Sequence, residues 1–481
     1  MKLINPLVIL LMLSTILLIE TVSFLFCLPV AFIYHESPWP FILSATITGL
    51  FFLVFYLIAR KTDKKKFSYR DGFITITLSW VVLSLMGTLP YMISGTIPSF
   101  IDAFFESTSG FSATGSSVIT DVESLPFSIL FWRSFTHWIG GIGIIVLVII
   151  ILPSLGITGY QVFSLESSMK EKIHPKTNAI GLRILFIYLG LTLAETVFLN
   201  IGDMTLFDSI CYSFSTISTG GFSSRNSSLQ FYSSYSQYVV MIFMFLAGIS
   251  QVVYYYIAKF NFKKVKQNEE LWFYIAITVI VGAIVTFILL ANSTRSFEEA
   301  FRDGYFQIIS IITTTGFTST NYLIWPSAGL MLILIIMFSG ACTGSTSGGI
   351  KMARHLVVLK NIKSIFIKLN HPNVVSIIKL NGKSISESTN IYIVSFVVLY
   401  IFVFILGTII VIATGVDPVL SASSVATCMA GIGPAVGAGG PMSNFKFLPE
   451  ISKLILSLLM IIGRLEIITV FTIFTRSFWK L

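Results

Sequence analysis

Three segments of the chain carry the same chemistry in the same order: IDAFFESTSGFSATGSS, FDSICYSFSTISTGGFSS and FRDGYFQIISIITTTGFTS. Each sets an aspartate 13 residues ahead of a glycine, pairing Asp102 with Gly115, Asp208 with Gly221 and Asp303 with Gly316. Six residues before each glycine stands a serine: Ser109, Ser215 and Ser310. A fourth, more diverged segment, DPVLSASSVATCMAGIGPAVG, places Thr427 six residues before Gly433, but its Asp417 lies 16 residues away. No nucleophile with a base, no pair of carboxylates and no metal-ligand spacing converges on one segment. What these segments offer is oxygen: hydroxyls, and carbonyls that a glycine turn can direct, which suits a cation stripped of its water.

The elements that must position those residues follow from the spacing. The four glycines are separated by 106, 95 and 117 residues, and each copy lies between two long apolar segments. About nine residues of helix advance only about 13 Å, enough to reach mid-bilayer but not to cross it. Each copy therefore reads as a re-entrant half-helix followed by non-helical backbone, which is tolerated at that depth only when buried in protein or lining a cavity. A half-helix entering from outside turns its partially negative C-terminus towards the membrane centre, while Asp102, Asp208 and Asp303 fall at the positive N-terminal ends as candidate caps. Four such tips select a monovalent cation, with Thr114, Thr219, Thr314 and Thr315 expected to line the approach. The candidate ion-binding set is Thr114, Gly115, Thr219, Gly220, Gly221, Thr315, Gly316, Ile432 and Gly433, with the ion at Gly115, Gly221, Gly316 and Gly433.

Composition demands a bilayer. With 55% hydrophobic and 11% charged residues, the chain has more apolar surface than a soluble globule can bury. Apolar stretches recur from Leu7 to Ile58, Phe73 to Ile93, Ser128 to Ile151, Ile184 to Leu199, Tyr238 to Ile257, Leu271 to Leu290, Gly329 to Phe338, Ile391 to Ile412 and Leu454 to Phe474. The turn HESPWP at His35 to Pro40 divides the first into two helices. The expected fold is an all-α membrane protein: two N-terminal helices, then four helix, pore-loop, helix repeats around a central pore, giving about ten spans and four half-helices. The expected units are residues 1–68, then repeats at 69–160, 161–262, 263–383 and 384–481.

The net charge of +9 is informative through its placement. Of 31 Lys and Arg, 24 fall in six clusters: Lys2; Arg60 to Arg70; Lys170 to Arg183; Lys259 to Lys266; Lys351 to Lys383; and Arg476 with Lys480. The positive-inside rule puts these in the cytoplasm, HESPWP outside, and both termini in the cytoplasm of a multi-pass protein of the cytoplasmic (inner) membrane. Nucleic acid is not an expected partner. The first apolar run exceeds a signal-peptide core, so it reads as a retained helix. Cys27, Cys211, Cys342 and Cys428 are scattered, without metal or disulfide spacing, and read as small buried residues.

Two features beneath the half-helices could control passage. Arg464 stands mid-way along an apolar run, too far from either end to snorkel, and should face a wet cavity or a partner. Glu466, two positions away, does not share its helix face. FSGACTGSTSGG, Phe338 to Gly349, interrupts another apolar segment with small residues; Gly344, Ser345, Thr346, Ser347, Gly348 and Gly349 form a candidate intramembrane gate, with a plain helix break as the alternative. The same stretch is no phosphate-binding loop, because Ile350 stands where lysine is required. Glu20 and Glu195 read as interhelical hydrogen-bonding acids, and His137 as an outer-interface residue.

These motifs resemble those of the TrkH type within the Trk/Ktr/HKT superfamily. The resemblance runs from about Leu7 to Lys480 and includes FWRSFTHWIGGIGIIVLVIIILP from Phe131, STGGFSS, TTTGFTS, SGACTGSTSGGIKMAR, GIGPAVG and GRLEIITV. It implies potassium as the transported ion, no cofactor in this chain, a homodimer, and a cytosolic nucleotide-binding regulatory subunit that gates the pore. It also implies that Arg464 slows cation passage below the filter. Glycine at Gly115, Gly221, Gly316 and Gly433 favours potassium over sodium by the same resemblance. Ala430 and Gly431 depart from the family's usual asparagine pair. The competing reading is a secondary transporter coupled to sodium or protons, which predicts two inverted halves rather than four copies in one orientation. An intramembrane enzyme would need a nucleophile and base that these residues do not supply.

Overall fold

The computed structural model describes residues 4–62, 68–146, 177–374, 376–441 and 443–479. Lys2, Lys64 to Lys66, Lys170 to Lys176, Lys480, the end of the apolar run at Leu147 to Ile151 and the expected boundary at 160/161 lie outside them. The described chain is helical apart from one two-residue hairpin, as the sequence implied.

An N-terminal pair comes first: α1 (Pro6–Leu25) with its continuation α2 (Leu28–Ile33), and α3 (Trp39–Ala59). The HESPWP turn between them serves a neighbour. Glu36 accepts from the amides of Phe127 and Ser128 at 2.6 and 2.9 Å, filling the free donors that a helix start presents. That start belongs to α7.

The first repeat comprises α4 (Tyr69–Met86) with α5 (Leu89–Ile93), the half-helix α6 (Phe100–Phe111) and α7 (Phe127–Val146). The second comprises α8 (Thr177–Ile201), half-helix α9 (Leu206–Ile217), then α10 (Ser234–Ala247), α11 (Gln251–Ala258) and the short α12 (Phe262–Lys266). In the third, α13 (Glu269–Asn292) leads to half-helix α14 (Phe297–Ile312), and α15 (Ser327–Ile336) is separated by the glycine-rich loop from α16 (Met352–Asn370). In the fourth, α17 (Glu387–Ala413) precedes half-helix α18 (Pro418–Ala430), and α19 (Glu450–Arg464), α20 (Ile467–Ile473) and α21 (Arg476–Trp479) close the chain.

Six described helices are long and apolar enough to cross a membrane, and two bent pairs raise this to eight. The bent pairs are α10 with α11, at 93°, and α19 with α20, at 107°. With α7 and the interrupted α15–α16, the arrangement agrees with the expected ten. The bends themselves were not expected. They fall where Gly248 and Ser250 break one helix, and where Glu466 adopts φ 66° at the start of α20.

Residue 262 opens α12, residue 383 lies in a hairpin of Lys379–Leu380 (β1) with Lys383–Ser384 (β2), and α13 and α17 start at the N-caps Asn268 and Ser386. The hairpin turns on Asn381 and Gly382, at φ 52° and 75°, the pairing that a two-residue turn with both φ positive favours.

Candidate functional site: a four-glycine ring and the loop beneath it

Each half-helix begins with a side-chain cap, but Asp102, Asp208 and Asp303 are not the caps. Ser99, Thr205 and Ser296 accept from the amides of Asp102, Asp208 and Glu299, while Asp417 accepts from Val419 and Leu420. This explains the unequal spacing of the fourth copy: Asp417 occupies the cap position of Ser99 and Thr205, each 16 residues before its glycine. Asp102 and Asp208 sit in the first turn, where negative charge suits the helix dipole. Asp303 lies farther in, because α14 starts a turn earlier. Each has a structural partner: Lys453 pairs with Asp102, Ser224 donates to Asp208 at 2.6 Å, and Arg295 pairs with Asp303 at 2.8 Å.

Past the C-terminus of each half-helix the backbone repeats one unusual conformation. Positive φ recurs at Ala113 and Gly115, at Thr219 and Gly221, at Thr314 and Gly316, and at Gly431 and Gly433. Positive φ at every second residue turns the intervening carbonyls to one side. Gly431 meets the left-handed requirement that asparagine also tolerates, so the departure at Ala430 and Gly431 leaves the backbone path intact.

The four strands close on one another. A Cβ on Gly115 would overlap the carbonyl oxygen of Gly220; on Gly221, that of Thr315; on Gly316, that of Ile432; and on Gly433 it would lie 2.8 Å from that of Thr114. Each glycine thus abuts the carbonyl preceding the next copy's glycine, in a head-to-tail ring of four. The equivalent carbonyl residues are Thr114, Gly220, Thr315 and Ile432. Thr219 is not among them: it matches Ala113, Thr314 and Gly431 in the left-handed position. The hydroxyls of Thr114 and Thr315 bond to Ser112 and Thr313, at 2.7 and 2.8 Å. A cavity of about 110 Å³ opens on all four glycines from one side.

Hydrogen bonds fasten every seam of the ring. Val122 donates to Asn226, Leu229 to the Thr318 carbonyl, Tyr322 to the Ala435 carbonyl and Phe445 to the Ser117 carbonyl, at 2.8 to 3.0 Å. Behind the first two copies, Arg133 and Glu106 form a buried ion pair at 2.9 Å. Glu106 also accepts from the Val118 amide at 2.9 Å, and Arg133 lies 4.2 Å over the Phe222 ring and donates to the Ser223 carbonyl at 3.2 Å. His137 is fully buried and stacks on Phe222 at 4.1 Å, inside the protein rather than at an outer interface. Glu106 was missed, since nothing near it in sequence reveals a partner 27 residues on.

The glycine-rich loop lies across the C-terminal ends of the half-helices. Its neck is closed by Gly340 donating to the Ile350 carbonyl and Ile350 to that of Phe338, at 2.8 and 3.1 Å. Thr346 donates to the carbonyl of Ile217, which ends α9, at 3.1 Å; the Gly348 amide donates to Thr314 Oγ1 at 2.7 Å; and Gly348 packs so closely on the Ala430 carbonyl that a Cβ would not fit. Ser345 and Ser347 bond to each other at 2.8 Å, and Gly344 and Gly349 take the positive φ values that turn the chain. The loop thus meets three of the four repeated segments.

Arg464 ends α19 and turns inward. Its guanidinium donates to the carbonyls of Thr346 and Gly140, at 2.6 and 3.2 Å, so it is held by the loop and by α7 rather than by a carboxylate. Glu466 instead pairs with Arg354 at 2.5 Å. Glu20 and Glu195 are both fully buried, and neither carboxylate has a hydrogen-bond partner among the described residues, although Thr216 stands beside Glu195; this does not match an interhelical hydrogen-bonding role. The four cysteines are buried and form no disulfide with one another.

Comparison with known proteins places this geometry. The family model TrkH, described as a cation transport protein, matches residues 44–480. A Trk system potassium uptake protein TrkH from Salmonella typhimurium (strain LT2) is 34% identical over 427 residues, covering 87% of this chain and 88% of its own. One from Vibrio parahaemolyticus serotype O3:K6 is 34% identical over 462 residues, covering 94% of each. The crystal structure of the potassium transporter TrkH from Vibrio parahaemolyticus superposes with a TM-score of 0.90 at 31% identity, over 99% of this chain and 100% of that one. The chain is an integral membrane protein and belongs to the TrkH family of cation transport proteins.

Proposed function

We propose that this chain carries potassium across the membrane through a gated, channel-like pore. The observation that supports it best is the ring in which each of Gly115, Gly221, Gly316 and Gly433 abuts the carbonyl of the next copy. Such a ring offers fixed carbonyl oxygens in place of water, and the half-helix C-termini aim partial negative charge at the same centre. The four copies share one orientation and one backbone conformation, which suits a single pore better than two inverted halves. The family membership and the potassium uptake proteins named above point the same way.

In this reading the loop at Gly344 to Gly349 closes the cytoplasmic side of the filter, and Arg464 adds a positive charge against an emerging cation. Cytoplasmic placement of the loop is supported by the basic residues beside it, since Lys351 follows Gly349 by two positions and Lys360 pairs with Glu269. Residence in the cytoplasmic membrane with cytoplasmic termini, assembly as a homodimer and control by a cytosolic nucleotide-binding subunit complete the proposal. Liposomes holding the purified chain should take up rubidium in competition with potassium, driven by the potassium gradient alone. Flux that requires an imposed sodium or proton gradient would favour the coupled transporter instead.

A further inference from the structure

Glu270, the second residue of α13, is completely buried. A carboxylate in such a place is costly unless donors surround it. Its Oε1 accepts from the Thr343 amide at 2.6 Å, the Thr343 hydroxyl at 3.0 Å and the Ala353 amide at 2.9 Å. Its Oε2 has no hydrogen-bond partner among the described residues. Thr343 lies where the chain enters the loop and Ala353 where it leaves through α16. One oxygen atom therefore holds both limbs.

The opposite side of the loop is braced by the elbow between α10 and α11. Cys342 donates to the Gly248 carbonyl at 3.0 Å, and Gln251 donates to the Gly344 carbonyl at 3.4 Å. Residues 342–344 thus form a shoulder anchored to two helices, whereas Thr346 and Gly348 form the tip that meets the half-helices. The shoulder decides where the tip sits.

We propose that Glu270 is the latch of the gate, a positioning residue that keeps the loop beneath the filter until both limbs are released together; this rests on the reading of that loop as a gate. Hydrogen bonds to a carboxylate are about twice as strong as neutral ones, and breaking them strands a buried charge. The loop cannot leave one bond at a time. It must swing far enough for water to reach Glu270, which makes the closed and open arrangements discrete rather than continuous. The preceding residue links the latch to the surface. The Glu269 amide donates to Asn381 Oδ1 of the hairpin at 2.7 Å, and its carboxylate pairs with Lys360 of α16. A force on α16 or the hairpin is delivered at the start of α13.

The test is basal rubidium uptake by liposomes containing the chain alone. It compares the wild type, Glu270→Gln, Glu270→Ala, a deletion of residues 343–347, and that deletion combined with Glu270→Ala. Uptake should rise about tenfold for Glu270→Gln, the equivalent of about 1.4 kcal/mol, and further for Glu270→Ala. The ratio of rubidium to sodium uptake should stay unchanged, and the combined variant should be no faster than the deletion. A purely structural role would lower the melting temperature of the isosteric Glu270→Gln without raising flux, and that result overturns the latch. If the deletion leaks while both Glu270 variants keep wild-type flux, the latch is wrong and the gate stands. If the deletion also leaves flux unchanged, the gate reading fails with it.

Discussion

The guanidinium of Arg464 donates to the main-chain carbonyl of Thr346 at 2.6 Å, tying the end of α19 to the tip of the loop that crosses the half-helix C-termini. Two residues 118 positions apart in sequence are thereby joined beneath the half-helices.

Replacing Arg464 with alanine removes both the positive charge and the bond to the loop. Basal rubidium uptake in liposomes should rise at least several-fold. Methionine, which fills the space without the charge, should raise it less if the loop still seats.

The left-handed positions give a paired prediction. An L-residue other than glycine held there is strained by about 1–2 kcal/mol. Ala113→Gly should therefore raise the thermal midpoint of the purified protein, because Ala113 sits at φ 53°. Gly316→Ala should do the reverse and cut rubidium uptake at least tenfold, since it adds both strain and an overlap with the Ile432 carbonyl.

Glu106 and Arg133 are both buried, so removing one strands the other. Glu106→Gln should destabilise the protein by about 3–5 kcal/mol, read as a lower melting temperature in detergent. Replacing both residues with leucine and methionine should recover much of that loss. Selectivity should stay impaired, because the Val118 amide and the Ser223 carbonyl lose their partners.

Glu466 combines a positive φ with an ion pair to Arg354. Glu466→Gly keeps the backbone turn but deletes the pair, whereas Glu466→Gln keeps the side chain's length without its charge. If the pair holds the elbow, both should be less stable than wild type by about 1–3 kcal/mol in thermal unfolding, because Arg354 is left buried and unpaired. A more stable Glu466→Gly would mean that backbone strain dominates.

The ring was legible in sequence because glycine is needed there twice over, for the sign of φ and for the approach of the next copy. Repetition of Gly115, Gly221 and Gly316 in one register made that visible. Asp417 looked out of register only because it was compared with Asp102 rather than with the cap Ser99. The hairpin at Asn381 and Gly382 carried its own Asn-Gly signal and was passed over among the lysines. Glu270 and Glu106 could not be found this way. Neither has its partner in its own segment, and its meaning comes from Thr343, Ala353 or Arg133, which folding alone brings near. The elbow at Glu466 was hidden for a different reason: nothing in the local pattern of GRLEIITV stops a helix, and only packing turns it.

The most direct measurement is rubidium anomalous diffraction from crystals of the purified chain. The expected result is a peak on the axis enclosed by Gly115, Gly221, Gly316 and Gly433, close to the carbonyls of Thr114, Gly220, Thr315 and Ile432. Rubidium bound elsewhere in the membrane region, with that axis empty, would contradict a carbonyl ring as the ion's path.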